Sequence, residues 1–292
     1  SERTLHDSGA IKEVLNTLDE RGWLLEKDDA IWLDCERFGE EKPEVLVRAN
    51  GIPTYFAADI AYHQNKYQRG FDTVIDIWGA DHHGHVARMK GAMEALGYER
   101  DRLEVILMQF VRLYQGGELL KMSKRTGTYV TLNELVEEVG RDAARFFFVM
   151  RNADSLIDFD MDLAKSQSAD NPVYYVQYAH ARICSILAQA GDNWQQGKLR
   201  PELLSTEAEK QLMLHLAYFP DQVAYAATHR APHHIAAYLT ELASCFHNFY
   251  GQCHCLVDDA ELMQARLTLV KTAAAVLKSG LALLGVSAPE KM

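Results

Sequence analysis

Short apolar runs alternate with longer segments of mixed polarity between residues 45 and 111. Residues 45–47, 74–78 and 103–111 have the length and the β-branched content of buried strands. Residues 54–69, and a segment that ends near Gly97, carry helical patterns. Strands separated by helices favour a parallel sheet covered by helices, so we predict an α/β layer in this region.

Strand patterns disappear beyond residue 131, and apolar residues follow the 3–4 spacing of helices. Asn171 and Pro172 have the composition of a helix start, and Thr206 with Glu209 forms a capping-box pattern. One apolar stripe is formed by Ile235, Leu239, Leu242, Phe246 and Phe249. We therefore predict an all-helical bundle after the α/β layer.

The first 44 residues predict a small peripheral unit with one helix and two short strands, at residues 23–26 and 30–33. We interpret residues 1–44 as the remnant of a connective insertion, outside the core layers. The predicted domains are then residues 1–44, 45–151 and 152–292, with a junction in the polar, acidic stretch 152–170.

Composition places the chain among ordinary globular proteins, with 48% hydrophobic and 24% charged residues in 292. No apolar run reaches the roughly 18 residues of a membrane span, so we expect no membrane contact. Five scattered cysteines favour a reducing, cytoplasmic setting. Cys253 and Cys255 would point to opposite sides of a helix, which argues against a metal pair. Since the chain begins with Ser1, we expect an excised fragment.

The formal charge of −11 argues against a general electrostatic attraction to nucleic acid. Most of the excess negative charge lies before residue 165, and the later part is close to neutral. Any contact with RNA must therefore use a local patch.

A cationic loop is predicted where Lys121, Lys124 and Arg125 fall within five residues, with glycines on both sides. The two lysines and Ser123 could close over a polyphosphate and add positive charge to a transition state. The alternative is a solvated basic turn. The tetrad Lys-Met-Ser-Lys, residues 121–124, resembles the second signature of class I aminoacyl-tRNA synthetases.

Residues 79–85 hold one aspartate and three histidines and allow three hypotheses. The first is a metal site. The second is the H-x-G-H pattern of nucleotidyl transferases, at His82 to His85. Against it, only 35 residues separate His85 from Lys121, which is too few for half of a nucleotide-binding fold between the two signatures. In the third, which we favour, Asp81 accepts hydrogen bonds from ribose hydroxyls and His82 lines the site.

Two aromatic groups suggest further binding sites. Tyr55 and Asp59 lie on neighbouring turns of a predicted helix, where a carboxylate beside a tyrosine could hold a guanidinium. Tyr175, Tyr178 and Arg182 share one helix face, which suits base stacking and phosphate contact. Ordinary aromatic packing is the alternative in both places.

Taken together, these segments resemble the C-terminal half of arginyl-tRNA synthetases. The matching stretches are residues 50–56, 59–63, 78–84, 121–125, 140–146 and 171–182. Residues 142–145, Asp-Ala-Ala-Arg, resemble the D-A-L-R element that names the family's helical anticodon-binding domain, with Ala144 in place of leucine. The resemblance implies the C-terminal half of a Rossmann-type catalytic domain followed by a helical anticodon-binding domain.

The resemblance also implies ATP-dependent attachment of arginine to tRNA-Arg through arginyl-adenylate, with ATP and Mg²⁺ as the substrate complex and no prosthetic group or structural metal. The implied residue roles follow by substrate. Arginine would be bound by Tyr55, Asp59 and His82; ATP by Asp81, Lys121, Met122, Ser123 and Lys124, with the two lysines catalytic; and the anticodon by Tyr175, Tyr178, Arg182 and Met292. We expect a monomer.

The chain departs from the family pattern because no H-I-G-H signature precedes Val45. We therefore predict that this piece does not make arginyl-adenylate alone. Two other hypotheses remain open from sequence: a stand-alone tRNA-binding module, and a nucleotidyl transferase that uses His82 to His85.

Overall fold

The structure is a computed structural model that describes residues 1–120, 130–191, 193–195 and 199–292. It divides into two compact units, Ser1–Phe110 and Val111–Met292. The predicted cationic tetrad, Lys121 to Lys124, lies outside the described residues. In the part of the chain that is described, none of the helices has the length and apolar character needed to cross a bilayer.

The first unit combines two small sheets with helices. Its elements in chain order are α1 (Glu2–Asp7), α2 (Ala10–Glu20), β1 (Leu24–Lys27), β2 (Ala30–Leu33), β3 (Glu44–Val47), α3 (Tyr55–Gln68), β4 (Val74–Gly79), α4 (His83–Ala95) and β5 (Leu103–Met108). Strands β1, β2 and β3 form an antiparallel sheet. Strands β4 and β5 pair in parallel, from Val74 opposite Leu103 to Gly79 opposite Met108, with α4 between them in the chain.

The first 44 residues contribute to the core of this unit. Val14, Leu33 and Cys35 are fully buried in one cluster with Ile60 and Met89. The expectation of a peripheral unit was therefore wrong. The strands are only four residues long, and no local pattern shows that β2 pairs with β3 and so joins the beginning of the chain to the rest of the unit.

The sheet of β4 and β5 confirms the predicted parallel layer, but one face of β4 is open. Ile75 is 43% exposed and Ile77 is 64% exposed, whereas Val74 and Asp76 point into the protein. The predicted strand 103–111 is also divided, since β5 ends at Met108 and the next strand begins at Val111 in the second unit.

The second unit is mainly helical. Its elements in chain order are β6 (Val111–Gln115), β7 (Glu118–Leu119), α5 (Leu132–Val139), α6 (Arg141–Val149), β8 (Ile157–Asp160), α7 (Met161–Lys165), α8 (Pro172–Ala190), α9 (Glu207–Ala217), α10 (Phe219–Thr228), α11 (His233–Gln252) and α12 (Ala260–Leu283). Strand β6 pairs with β7 in an antiparallel manner and with β8 in parallel.

Strand β8 contradicts the expectation that strands end before residue 131 and that residues 152–170 are only a junction. Ile157 and Phe159 are buried, while Asp158 and Asp160 point outward. A four-residue alternation with two aspartates has the composition of a linker, and only its pairing with β6 reveals it as a strand.

The predicted helix signals of the bundle are confirmed. The Asn171 side chain caps α8, Pro172 occupies its first turn, and Thr206 with Glu209 forms the capping box of α9. The predicted apolar stripe of α11 is buried in the core. Cys253 and Cys255 follow the end of α11 and are both buried, so the helical geometry assumed for them was wrong.

Candidate substrate pocket and RNA-binding face

A cavity of about 1120 Å³ opens in the first unit between β3, α3, β4 and the start of α4. Its lining includes all four residues of this unit that the sequence suggested for substrate binding: Tyr55, Asp59, Asp81 and His82. The structure thus brings together two motifs that are separated in the chain. Their roles remain predictions.

Helix α3 presents its polar face to this cavity because its first turn is anchored. The Thr54 hydroxyl donates to the backbone oxygen of Val45 at 2.8 Å, and its oxygen caps the helix at Ala57. The 3–4 spacing then places Tyr55, Asp59 and Tyr62 along one side of the helix. Tyr55 is 81% exposed, so its ring is available to a ligand.

The turn after β4 supplies the opposite wall of the cavity. Ala80–His82 forms a 3₁₀ turn before α4 begins at His83. A Cβ atom at Gly79 would lie 2.5 Å from Asp81 Oδ1, so only glycine allows the Asp81 carboxylate to fold back over the strand end. Asp81 Oδ2 lies 3.8 Å from His82 Nε2, and both side chains are exposed.

The imidazole of His85 lies next to the Asp59 carboxylate. Its Nε2 lies 3.9 Å from Asp59 Oδ2, and its ring packs against Phe56 and Trp78. Burial lowers the pKa of His85 although the neighbouring Asp59 carboxylate raises it. A neutral imidazole adds no positive charge next to the Asp59 carboxylate. This contact differs from the phosphate-binding role that the H-x-G-H hypothesis requires.

Three ionisable side chains that the sequence analysis missed also line this pocket. Asp76 on β4 contacts Nε2 of the buried His63, and its other oxygen accepts a hydrogen bond from Lys66 Nζ at 2.7 Å. His63 Nδ1 donates to the backbone oxygen of Asp59 at 2.7 Å, because a carbonyl can only accept. The cluster therefore joins α3 to β4 beneath Asp59.

The charge state of this cluster follows from its geometry. Burial raises the pKa of Asp76, but the hydrogen bonds and charges of His63 and Lys66 lower it by a larger amount. The pKa therefore lies below its ordinary value, and the carboxyl is ionised. His63 Nε2 and Lys66 Nζ both contact the Asp76 carboxylate, so two side chains of α3 hold it in place. The signal in the sequence that could have indicated this cluster was Asp76 itself, an aspartate inside the apolar strand β4.

Tyr175, Tyr178 and Arg182 all lie on α8 and are partly packed, and their role in RNA binding remains a prediction. Tyr175 and Tyr178 contact the His247 ring, at centroid distances of 4.9 and 5.9 Å. Arg182 Nη2 donates to the Tyr250 hydroxyl at 3.1 Å and lies over that ring. Tyr178 is 39% exposed and Arg182 is exposed, so this face combines core packing with an accessible edge.

Burial, together with the positive charge of Arg182, lowers the pKa of His247, which keeps this imidazole neutral between the two helices. Met292, the other predicted anticodon residue, is exposed at the end of the chain. Among the described residues, no three His, Cys, Asp or Glu side chains are placed to share a metal ion.

Two family models match the chain. The model described as "tRNA synthetases class I (R), catalytic domain" matches residues 5–184. The model described as "DALR anticodon binding domain" matches residues 176–292. The first model alone covers more than half of the chain.

Relatives with curated names give the same picture. The arginine–tRNA ligase of Desulforamulus reducens is 59% identical over 299 residues, and that of Moorella thermoacetica is 60% identical over 296 residues. Both alignments cover 100% of this chain and 53% of the relative. The chain thus spans about half the length of the curated relatives it matches.

Two solved structures resemble the fold. An arginyl-tRNA synthetase from Campylobacter jejuni aligns with a TM-score of 0.91 and 36% identity, covering 100% of this chain and 64% of that one. The synthetase from Thermus thermophilus aligns with a TM-score of 0.83 and 26% identity, covering 97% of this chain and 58% of that one. The predicted order of an α/β catalytic part and a helical part is confirmed by these matches.

Proposed function

Because the chain belongs to the arginyl-tRNA synthetase family, we propose that it supplies the arginine pocket and the tRNA-binding unit of an arginine–tRNA ligase. The observation that carries this proposal is the carboxylate of Asp59. It faces a cavity beside the exposed Tyr55, next to the partly buried His85, whose pKa is lowered. A cationic ligand would meet a carboxylate at the cavity wall, beside an aromatic ring and a histidine whose pKa is lowered.

The guanidinium of arginine fits this arrangement. Its planar fork can donate two hydrogen bonds to one carboxylate, and its face can stack on a tyrosine ring. Asp59 would accept the hydrogen bonds, Tyr55 would cover the guanidinium, and His82 would line the rim of the pocket. Asp81, exposed at the end of β4, would accept hydrogen bonds from the ribose of ATP.

The reaction that this family membership implies has two steps. The arginine carboxylate attacks the α-phosphorus of ATP, which gives arginyl-adenylate and releases pyrophosphate. A hydroxyl of the terminal ribose of tRNA-Arg then attacks the activated carbonyl and releases AMP. Lys121 and Lys124 would stabilise the charge that develops on the phosphates in the first step, with Met122 and Ser123 beside the bound ATP.

The 292-residue chain is proposed to be insufficient for the first step. The open face of β4, with Ile75 and Ile77 exposed, is a face that a Rossmann-type sheet normally covers with further structure. We therefore expect no arginine-dependent ATP–pyrophosphate exchange from residues 1–292 alone, even with tRNA-Arg present. Exchange by the isolated chain would contradict this.

Ligand binding tests the pocket directly. We expect the chain to bind L-arginine in calorimetry and to bind L-citrulline, its uncharged analogue, about 10–100-fold more weakly, since a hydrogen bond to a charged group contributes about 1.5–3 kcal/mol. Asp59→Asn should remove the preference for arginine. Asp19→Asn, which neutralises an exposed carboxylate on α2, should retain it. Equal affinity for the two amino acids would overturn the arginine assignment.

Filter binding tests the RNA side. We expect tRNA-Arg to bind more tightly than the same tRNA with an exchanged anticodon, because Tyr178, Arg182 and Met292 would contact the anticodon loop. A chain that binds tRNA without an anticodon preference, and does not bind arginine, would instead support the stand-alone tRNA-binding hypothesis.

A further inference from the structure

The last nine residues form a non-helical tail that is fixed to the second unit. Helix α12 ends at Leu283, and residues 284–292 continue without regular structure. Leu284 and Val286 are buried in the core, which anchors the beginning of the tail. The chain turns between them at Gly285, where φ is +69°.

Asp142 on α6 holds the middle of this tail. Its Oδ2 accepts hydrogen bonds from the backbone N–H of Ser287 at 3.1 Å and from the Ser287 hydroxyl. The same oxygen accepts a hydrogen bond from Gln177 Nε2 at 3.0 Å. Burial raises the pKa of Asp142, but the hydrogen bonds from Ser287, Arg141 and Gln177 outweigh it and leave the pKa below its ordinary value.

Arg145 holds the start of the tail one helical turn away. Its Nε donates to the backbone oxygen of Leu284 at 3.0 Å. The guanidinium lies so close to Gly285 that a Cβ atom there would be 2.5 Å from Nε. The glycine therefore serves two purposes, since it adopts a left-handed conformation and makes room for the arginine.

Helix α8 holds the far part of the tail. Gln177 Nε2 donates to the backbone oxygen of Ser287, and His180 Nδ1 donates to that of Pro289, both at 2.9 Å. Gln177 and His180 are buried. The tail thus runs along α8, while Tyr178 and Arg182 of the same helix face α11 through His247 and Tyr250.

We propose that Asp142 and Arg145, the first and last residues of the Asp-Ala-Ala-Arg tetrad, are positioning residues that fix the C-terminal tail as an ordered part of the RNA-binding surface. This rests on the proposed tRNA-binding function. The partner would be an RNA loop with unpaired bases. The exposed end of the tail would contact this loop in a single conformation that is already ordered before binding.

The two middle residues of the tetrad pack in the core, whereas the outer two hold the tail. Ala143 and Ala144 are buried in the core of the unit and make no polar contact with the tail. The third position, where the family has leucine, therefore contributes packing volume, and a substitution there leaves the tail contacts intact. The outer two residues carry the hydrogen bonds.

Hydrogen exchange of residues 284–292 and the Kd for tRNA-Arg together test the proposal. Asp142→Asn replaces the carboxylate by an amide of the same shape, and we expect faster exchange in the tail and tRNA binding weakened about tenfold, since affinity falls with the fraction of ordered tail. Removal of residues 288–292 should weaken binding as much, and the two changes combined should weaken it no further. Glu137→Gln, an exposed carboxylate on α5, is the matched control and should change neither quantity.

Additivity separates positioning from general damage to the fold. Tyr178→Ala acts at a different face, so its effect should add to that of Asp142→Asn. If Asp142→Asn prevents folding, Ser287→Ala removes a single exposed hydroxyl from the tail side and should give the same two changes to a smaller degree.

Each other outcome overturns the proposal in a recognisable way. Unchanged exchange in Asp142→Asn and Ser287→Ala would show that these contacts do not fix the tail. Faster exchange with unchanged tRNA affinity would show that the tail is outside the RNA-binding surface, and the proposed function would stand. Absence of tRNA binding by the unmodified chain would overturn both proposals.

Discussion

Two carboxylates, one in each unit, make comparable contacts with very different consequences. Asp76 is 8% exposed and lies between two basic side chains, His63 and Lys66. The side chain of Asp142 is 23% exposed. Its Oδ2 accepts from the neutral donors Ser287, in the tail, and Gln177, on α8, and its Oδ1 pairs with the exposed Arg141. Removing a buried charge leaves its partners uncompensated, whereas a bond between a partly exposed carboxylate and a neutral donor is partly replaced by water.

The difference indicates what each carboxylate supports. Asp76 joins α3 to β4 and so maintains the wall from which Asp59 projects. Asp142 joins a short tail to a helix whose own core is complete without it. We therefore expect changes at Asp76 to affect folding of the first unit, and changes at Asp142 to affect the order of a ligand-binding segment.

The largest predicted effect is at Asp76. Asp76→Ala leaves the buried His63 ring and the ammonium of Lys66 without their partner, and we expect a loss of about 3–5 kcal/mol in the free energy of unfolding of the first unit. Urea denaturation followed by hydrogen exchange in α3 measures it. Asp72→Asn, at an exposed position before β4, is the control. A loss below about 1 kcal/mol would place Asp76 in the same class as Asp142 and remove the contrast.

Substitutions at two glycines, one in the tail and one in α11, test the tail with an expected effect of intermediate size. Gly285→Ala forces a side chain into a left-handed conformation beside Arg145, and we expect a loss of about 1–2 kcal/mol in stability together with a freed tail. Gly251→Ala is the matched control, because Gly251 is helical with open space around it, and it should stabilise α11 by about 0.5–1 kcal/mol. Equal responses at the two positions would contradict the role assigned to Gly285.

Acid should release the tail through Asp142. Because the pKa of Asp142 is lowered in the folded chain, its stabilising contribution is present above the unfolded value of about 3.9 and is lost as pH falls through the folded value. We expect hydrogen exchange in residues 284–292, corrected for intrinsic rates, to accelerate below about pH 4. In Asp142→Asn it should be fast at every pH. A tail that stays protected at low pH would contradict the role of the carboxylate.

The smallest predicted effect is at His85. Burial lowers its pKa, so it becomes protonated only below its ordinary value of about 6.5, and its charge then competes with a guanidinium for Asp59. We expect arginine affinity to fall about fivefold on acidification, the equivalent of about 1 kcal/mol for charges 4 Å apart near water. His85→Asn should abolish this dependence, and calorimetry between pH 7.5 and 5 measures it. An unchanged pH profile in the variant would exclude His85 as its source.

The sequence predicted what depends on short motifs. Tyr55 and Asp59 follow from helical spacing, and the cap at Asn171 follows from its neighbour Pro172. It also predicted the parallel sheet, since β4 and β5 are apolar and are separated by a helix. The helical spacing and the cap are local patterns, and the sheet follows from the order of such local elements along the chain.

Features that depend on distant partners were not predicted. Asp76 is only an unexpected aspartate in a strand until His63 is known to lie beside it. Strand β8 has the composition of a linker, and only its pairing with β6 reveals it as a strand. The role of Asp142 within its tetrad is revealed only by its contact with Ser287. In each case the stabilising energy comes from a contact between segments, which no local pattern reports.

Hydrogen exchange of the whole chain, with L-arginine and with tRNA-Arg added separately, tests the central claim that the two units bind different substrates. The account predicts that arginine gives its strongest protection in α3 and residues 79–85, and that tRNA gives its strongest protection in α8 and residues 284–292. Protection by both ligands in the same unit, or by each in the other's unit, would contradict it.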